Sequence, residues 1–165
     1  PPSVFDYEPA TGKRTLLKET PVLGGYDRSL YTTEYAVVTA RDGEKIAITA
    51  VRRKDTPQGP GTRLLLYGYG SYGASMSARF SSQRLCLLDR GVIFVTAHIR
   101  GGGEFGTSWH DAGKMAHKMN TFTDFVAAGE HLAKNGLRRR GHIVGNRGSA
   151  RGVLIGGGAN TEPEL

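Results

Sequence analysis

A chain of 165 residues with 38% hydrophobic and 22% charged side chains has the balance of an ordinary globular protein. No apolar run approaches the roughly 18 residues of a membrane span, so the composition gives no membrane partner. The formal charge of +7 comes partly from Arg138, Arg139 and Arg140 and from Arg52, Arg53 and Lys54. With no aromatic interleaving and no DNA-reading helix pattern, these read as solvated basic faces, and no nucleic-acid partner is expected. A single cysteine, Cys86, forbids an intrachain disulfide and points to a reducing, cytoplasmic setting. The Pro1-Pro2-Ser3 start lacks the charged-then-apolar layout of a signal peptide.

In chain order, residues 1–30 predict a β-hairpin: Val4-Phe5-Asp6-Tyr7, a turn ending at Gly12, then Arg14-Thr15-Leu16-Leu17. Pro21, Gly24 and Gly25 make a linker-like break. A second hairpin is expected where Asp42-Gly43 separates the β-rich runs 35–40 and 45–51. After a Pro/Gly loop over 56–62 the pattern changes. Leu64-Leu65-Leu66-Tyr67 and the run from Val92 to Ala97 are continuous and apolar, as in strands buried on both faces. Residues 121–136 carry helical spacing, with Phe122, Phe125, Val126, Gly129, Leu132 and Ala133 on one face. Thr121 and Asp124 are placed as an N-cap pair, and Asn135-Gly136 as the stop. Strands alternating with helical segments indicate an α/β sheet, mixed because an antiparallel hairpin begins it.

A short strand around Ile143-Val144 then leads into Asn146-Arg147-Gly148-Ser149-Ala150-Arg151-Gly152 and an apolar stretch. A serine at a strand-to-helix turn is how α/β-hydrolases present a nucleophile, and the usual spacing is G-x-S-x-G. Here arginines stand at both flanking glycine positions. Gly156-Gly157-Gly158 fall where the following helix should continue, at roughly 1 kcal/mol each relative to alanine. Neither Asp nor His follows Ser149, although this fold orders its triad Ser, Asp, His.

Other chemistry is weaker. Gly68, Gly70 and Gly73 fit G-x-G-x-x-G, with Asp89 near the place of a ribose-binding acid, but the segment after them is polar. His98, His110, His117, His131 and His142 show no metal-ligand spacing, so no metal and no cofactor are expected. These histidines, with Asp89, Asp111 and Asp124, precede Ser149 and are poor triad members. Arg100 and Glu104 read as fixing the glycine loop they flank, and Cys86 as a small packing residue rather than a nucleophile.

Four motifs in order resemble the prolyl oligopeptidase family of serine peptidases. They are Tyr67-Gly68-Tyr69-Gly70-Ser71-Tyr72-Gly73, His98-Ile99-Arg100-Gly101-Gly102-Gly103-Glu104-Phe105-Gly106, Asn120-Thr121-Phe122-Thr123-Asp124-Phe125, and the Ser149 turn. The opening residues and the run from Tyr67 to Ser75 are most similar to the oligopeptidase B group, which cleaves short peptides after Arg or Lys. The resemblance implies a partial α/β-hydrolase fold with a mixed, mostly parallel sheet and flanking helices, preceded by a hairpin from a β-propeller. Residues 1–30 would end the propeller, and 31–165 would form the N-terminal half of the peptidase domain. It further implies Ser149 as nucleophile, with the Ala150 N–H and the Tyr69 hydroxyl as oxyanion donors. The triad Asp and His would be absent from this chain. Where the family has G-G-S-A-G-G this chain has R-G-S-A-R-G, so a catalytically inactive, truncated remnant is the alternative.

Overall fold

A computed structural model describes residues 1–77, 79–135, 143–145 and 150–161. β1 (Ser3–Glu8) and β2 (Lys13–Glu19) pair antiparallel as a separate two-stranded sheet. A second sheet holds β3 (Tyr31–Thr39), β4 (Lys45–Arg53), β5 (Arg63–Gly68), β6 (Val92–His98) and β7 (Val144–Gly145). Their spatial order is β3-β4-β6-β5-β7. The β3–β4 and β4–β6 pairings are antiparallel, while β5 runs parallel to both β6 and β7. Both sequence-predicted hairpins are present, and Gly43 turns the second with φ of 90°.

Four helices accompany this sheet among the described residues: α1 (Ser82–Leu88), α2 (Thr107–Asp111), α3 (Lys118–Lys134) and α4 (Ala150–Thr161). The pairing Leu64↔Ile93 and Leu66↔Val95 puts these four side chains on one face, and all are buried. Ile46, Ile48 and Val38 join the same core, which Phe122, Phe125 and Leu132 of α3 and Leu154 of α4 complete. Each such side chain contributes roughly 1.5–3 kcal/mol on full burial. On the opposite face α1 lays the Arg84 guanidinium 4.2 Å from the Phe94 ring centre.

Handedness explains why the helices divide between faces. The crossover β5-α1-β6 steps one way along the sheet, and β6-α3-β7 steps back the other way. Right-handed connections taken in opposite directions must pass over opposite faces.

Three local expectations need correction. α3 begins at Lys118, one turn before the expected cap, because Thr121 and Asp124 are wholly buried inside the helix rather than at its start. Cys86 is exposed on α1 rather than packed, since that helix turns Leu88 inward instead. The glycine run is no interruption of α4. A Cβ on Gly157 would press on the Phe122 ring at 2.9 Å, so glycine lets α4 close on α3.

Candidate active site

The carboxyl ends of β5, β6 and β7 lie along one sheet edge, because the three strands are parallel. Tyr69 follows the last residue of β5 directly and is half-buried, its ring 6.4 Å from that of Tyr72. Gly70 then turns the chain with φ of 60°. A Cβ there would strike Thr121 and the Arg100 carbonyl, so only glycine fits between β5 and α3. Gly101 (φ 94°) and Gly113 meet at the same point: a Cβ on Gly101 would strike the Gly70 carbonyl, and one on Gly113 would strike Gly101 N. The Tyr69 turn is therefore packed main chain against main chain.

Arg100 anchors this contact. Its Nε and Nη2 donate to the two carboxylate oxygens of Asp124 at 2.9 and 2.5 Å, and its main-chain N–H donates to Asp124 Oδ2 at 3.0 Å. Nη1 donates to Asp42 at 2.6 Å, tying the β3–β4 turn to the same guanidinium. Hydrogen bonding to Asp124 holds the Arg100 guanidinium well above its ordinary pKa. Burial pushes the Asp124 carboxyl up, and Arg100 opposes it. The expectation that Arg100 fixes the glycine loop is met; Asp124 does this as its partner, not as a helix-start charge.

Glu104 joins two loops. Its Oε1 accepts from Met76 N at 2.9 Å and stands 3.6 Å from His98 Nδ1. Burial raises the Glu104 carboxyl, but His98 and the Met76 amide outweigh it and hold the group below its usual 4.5. A carboxylate depressed on folding stabilises fully above its unfolded pKa, and that contribution is lost as pH falls through the folded value. Thermal midpoints recorded from pH 6 to pH 3 should fall more steeply for the native sequence than for Glu104→Gln. Parallel curves would show that Glu104 carries no such linkage.

The other groups weighed in the sequence are held structurally. His98 Nε2 is 2.9 Å from Thr49 Oγ1, His110 Nδ1 is 2.9 Å from the Gly101 carbonyl, and His131 Nε2 is 2.8 Å from Asn135 Nδ2. Asp89 accepts from the Tyr31 hydroxyl at 2.6 Å and from Arg53 at 3.3 Å. Gly73 is not followed by a helix until Ser82, so the glycine loop does not run directly into a helix as the dinucleotide-binding pattern needs. Among the described residues no group of His, Cys, Asp or Glu could hold a metal ion.

Ser149, Arg147 and His142 lie outside the described residues, as does the side chain of Arg151. Ala150 is the first residue of α4, where main-chain N–H groups have no partner within the helix. Sequence reasoning missed Lys118, whose Nζ donates to the Gly70 carbonyl at 2.6 Å and to Ser71 Oγ at 3.1 Å. No sequence signal marks it, because the spacing starts the helix at Thr121, three residues after Lys118.

The sequence pattern of the prolyl oligopeptidase family matches residues 78–165. The chain is 46% identical over 165 residues to dipeptidyl aminopeptidase BI of Pseudoxanthomonas mexicana, covering 99% of this chain and 23% of that protein. It is 42% identical to Protease 2 of Moraxella lacunata, covering 100% of this chain and 24% of that protein. Among solved structures, oligopeptidase B from Leishmania major superposes with a TM-score of 0.87 at 42% identity, over 98% of this chain and 23% of that one. The chain thus spans about a quarter of the length of these relatives.

Proposed function

Since this chain belongs to the prolyl oligopeptidase family, we propose that it carries the nucleophile and oxyanion side of a serine-type oligopeptidase. Residues 1–30 belong to the end of a β-propeller in this reading, and 31–165 to the first half of the α/β-hydrolase peptidase domain. Ser149 Oγ attacks the scissile carbonyl of a short peptide. A histidine from outside residues 1–165 takes its proton. The Ala150 N–H and the Tyr69 hydroxyl receive the developing oxyanion, and the resemblance to oligopeptidase B favours cleavage after Arg or Lys.

One observation supports this most. β5 and β7 are parallel neighbours, and the chain leaves them toward opposite faces: β5 leads to α1, whereas β7 leads to α4 on the α3 face. A crevice opens outside the carboxyl ends of strands that diverge in this way, and α/β proteins bind ligands there. Tyr69 follows β5 directly, and Ser149 lies in sequence between β7 and α4, the two elements on the other side of the divergence.

The second reading, a catalytically inactive remnant, is favoured by Arg147 and Arg151 at positions that the turn requires to be small. One assay series tests the first. Residues 1–165 alone should not hydrolyse Arg- or Lys-containing peptides, because within them no histidine follows Ser149 to take its proton. In the complete polypeptide, Ser149→Ala should abolish cleavage and Tyr69→Phe should lower kcat by roughly 10²-fold. Activity that survives Ser149→Ala would refute the assignment.

A further inference from the structure

Lys118 opens α3 under two penalties. A cation in the first turn of a helix is opposed by the macrodipole, and burial lowers the pKa of this ammonium. Nothing about helix formation asks for a lysine there. Three acceptors compensate: the Gly70 carbonyl at 2.6 Å, Ser71 Oγ at 3.1 Å and Thr121 Oγ1 at 3.3 Å. An ammonium has three donors and no acceptor, so this set can occupy all of them. Two of the three acceptors belong to the residues immediately after Tyr69.

The geometry is that of a strut. Lys118 and Thr121 are neighbours on one helix face. Thr121 is wholly buried, its hydroxyl 2.9 Å from the Arg100 carbonyl and 3.1 Å from the Gly113 carbonyl. Lys118 reaches outward from that fixed point to the turn after β5. Arg100, clamped to Asp124 further along the same helix, sets its carbonyl beside Thr121 against Gly70.

We infer that Lys118 is a positioning residue of this site: its ammonium ties the Gly70-Ser71 turn to α3 and so fixes where the Tyr69 hydroxyl stands. It touches neither substrate nor oxyanion in this role. The inference rests on Tyr69 being an oxyanion donor, as proposed above. A donor hydroxyl must meet the oxyanion within a few tenths of an ångström to be effective, and a turn free to rock would blur that distance.

The test uses the complete polypeptide that carries this chain, in two arms. The first is hydrogen exchange. Lys118→Met should raise the exchange of the amides of residues 70–74 at least tenfold while leaving 122–134 unchanged, and Lys118→Arg should restore most of the protection. Unchanged exchange at 70–74, or an equal rise throughout α3, would overturn the inference and leave Lys118 as a helix-stabilising residue at most. The second arm is peptide hydrolysis. Lys118→Met should lower kcat about tenfold with KM within twofold, yet add less than twofold in the Tyr69→Phe background. Full additivity with Tyr69→Phe would show that Lys118 does not act through Tyr69, and would overturn it. If Tyr69→Phe alone leaves kcat unchanged, the oxyanion reading fails, and the exchange arm still decides whether Lys118 holds the turn. Should the native polypeptide prove inactive, the exchange arm decides alone.

Discussion

Replacing Asp124 with alanine should destabilise the fold by about 3–5 kcal/mol, because it removes one partner of a buried ion pair. Asp124 is fully buried and Arg100 is 4% exposed, so no water is at hand to replace the lost carboxylate. Arg100 would keep only Asp42 for its side chain, and its main-chain N–H would lose its acceptor as well. An unpaired buried charge costs far more than a lost surface pair. The internal control is Asp42→Ala, whose carboxylate is 47% exposed and whose loss should cost under about 1 kcal/mol. Urea denaturation of the complete polypeptide reads both. If the two variants lose similar stability, burial is not what gives the Asp124 contact its weight.

The largest change in activity is expected from Arg147→Gly and Arg151→Gly made together. Residues two before and two after the nucleophile of such a turn pass close to one another, and an arginine at each place both crowds the backbone and repels its twin. In a chimera joining residues 1–165 to the remainder of Protease 2 of Moraxella lacunata, the double reversion should raise peptide cleavage by at least about 10²-fold. That is the scale on which small displacements of a reacting atom act. Equal rates with and without the reversions would show that the turn accommodates arginine. The reading as an inactive remnant would then lose its main support.

Much of this architecture is legible in the residues, and the exceptions share a cause. The hairpin at Asp42-Gly43 and the strands at Leu64 and Val92 announce themselves by turn chemistry and by period, both local properties. The errors fall where a long-range contact decides. Thr121 resembles a cap in sequence, but the carbonyls of Arg100 and Gly113, far away in the chain, draw it inside α3. Asp124 lies off the apolar face that the spacing marks, yet it is wholly buried because Arg100 from another segment meets it there. Gly157 looks like a defect until Phe122 is seen against it. Of the proposed site, Tyr69 is legible only through the resemblance of its glycine-rich motif to the family, whereas the contact of Lys118 emerges only when Gly70 is brought to the helix.

The packing at Gly70, Gly101 and Gly113 also limits how this region can change over generations of mutation. The missing Cβ makes room at Gly101 for the Gly70 and Gly113 carbonyls, at Gly113 for Gly101 N and the Arg100 carbonyl, and at Gly70 for Thr121 and the Arg100 carbonyl. A side chain gained at any one of them would require its neighbours to shift. No succession of single substitutions, each tolerable by itself, leads through that point. The same restriction covers Gly103, whose missing Cβ makes room for the Gly73 carbonyl. New side-chain chemistry along this edge must therefore enter at positions such as Tyr72, which is 81% exposed, and Phe105, which is half-exposed with one edge on Trp109. A mutagenesis library aimed at altered peptide preference should yield folded variants at those two sites and almost none at the glycines.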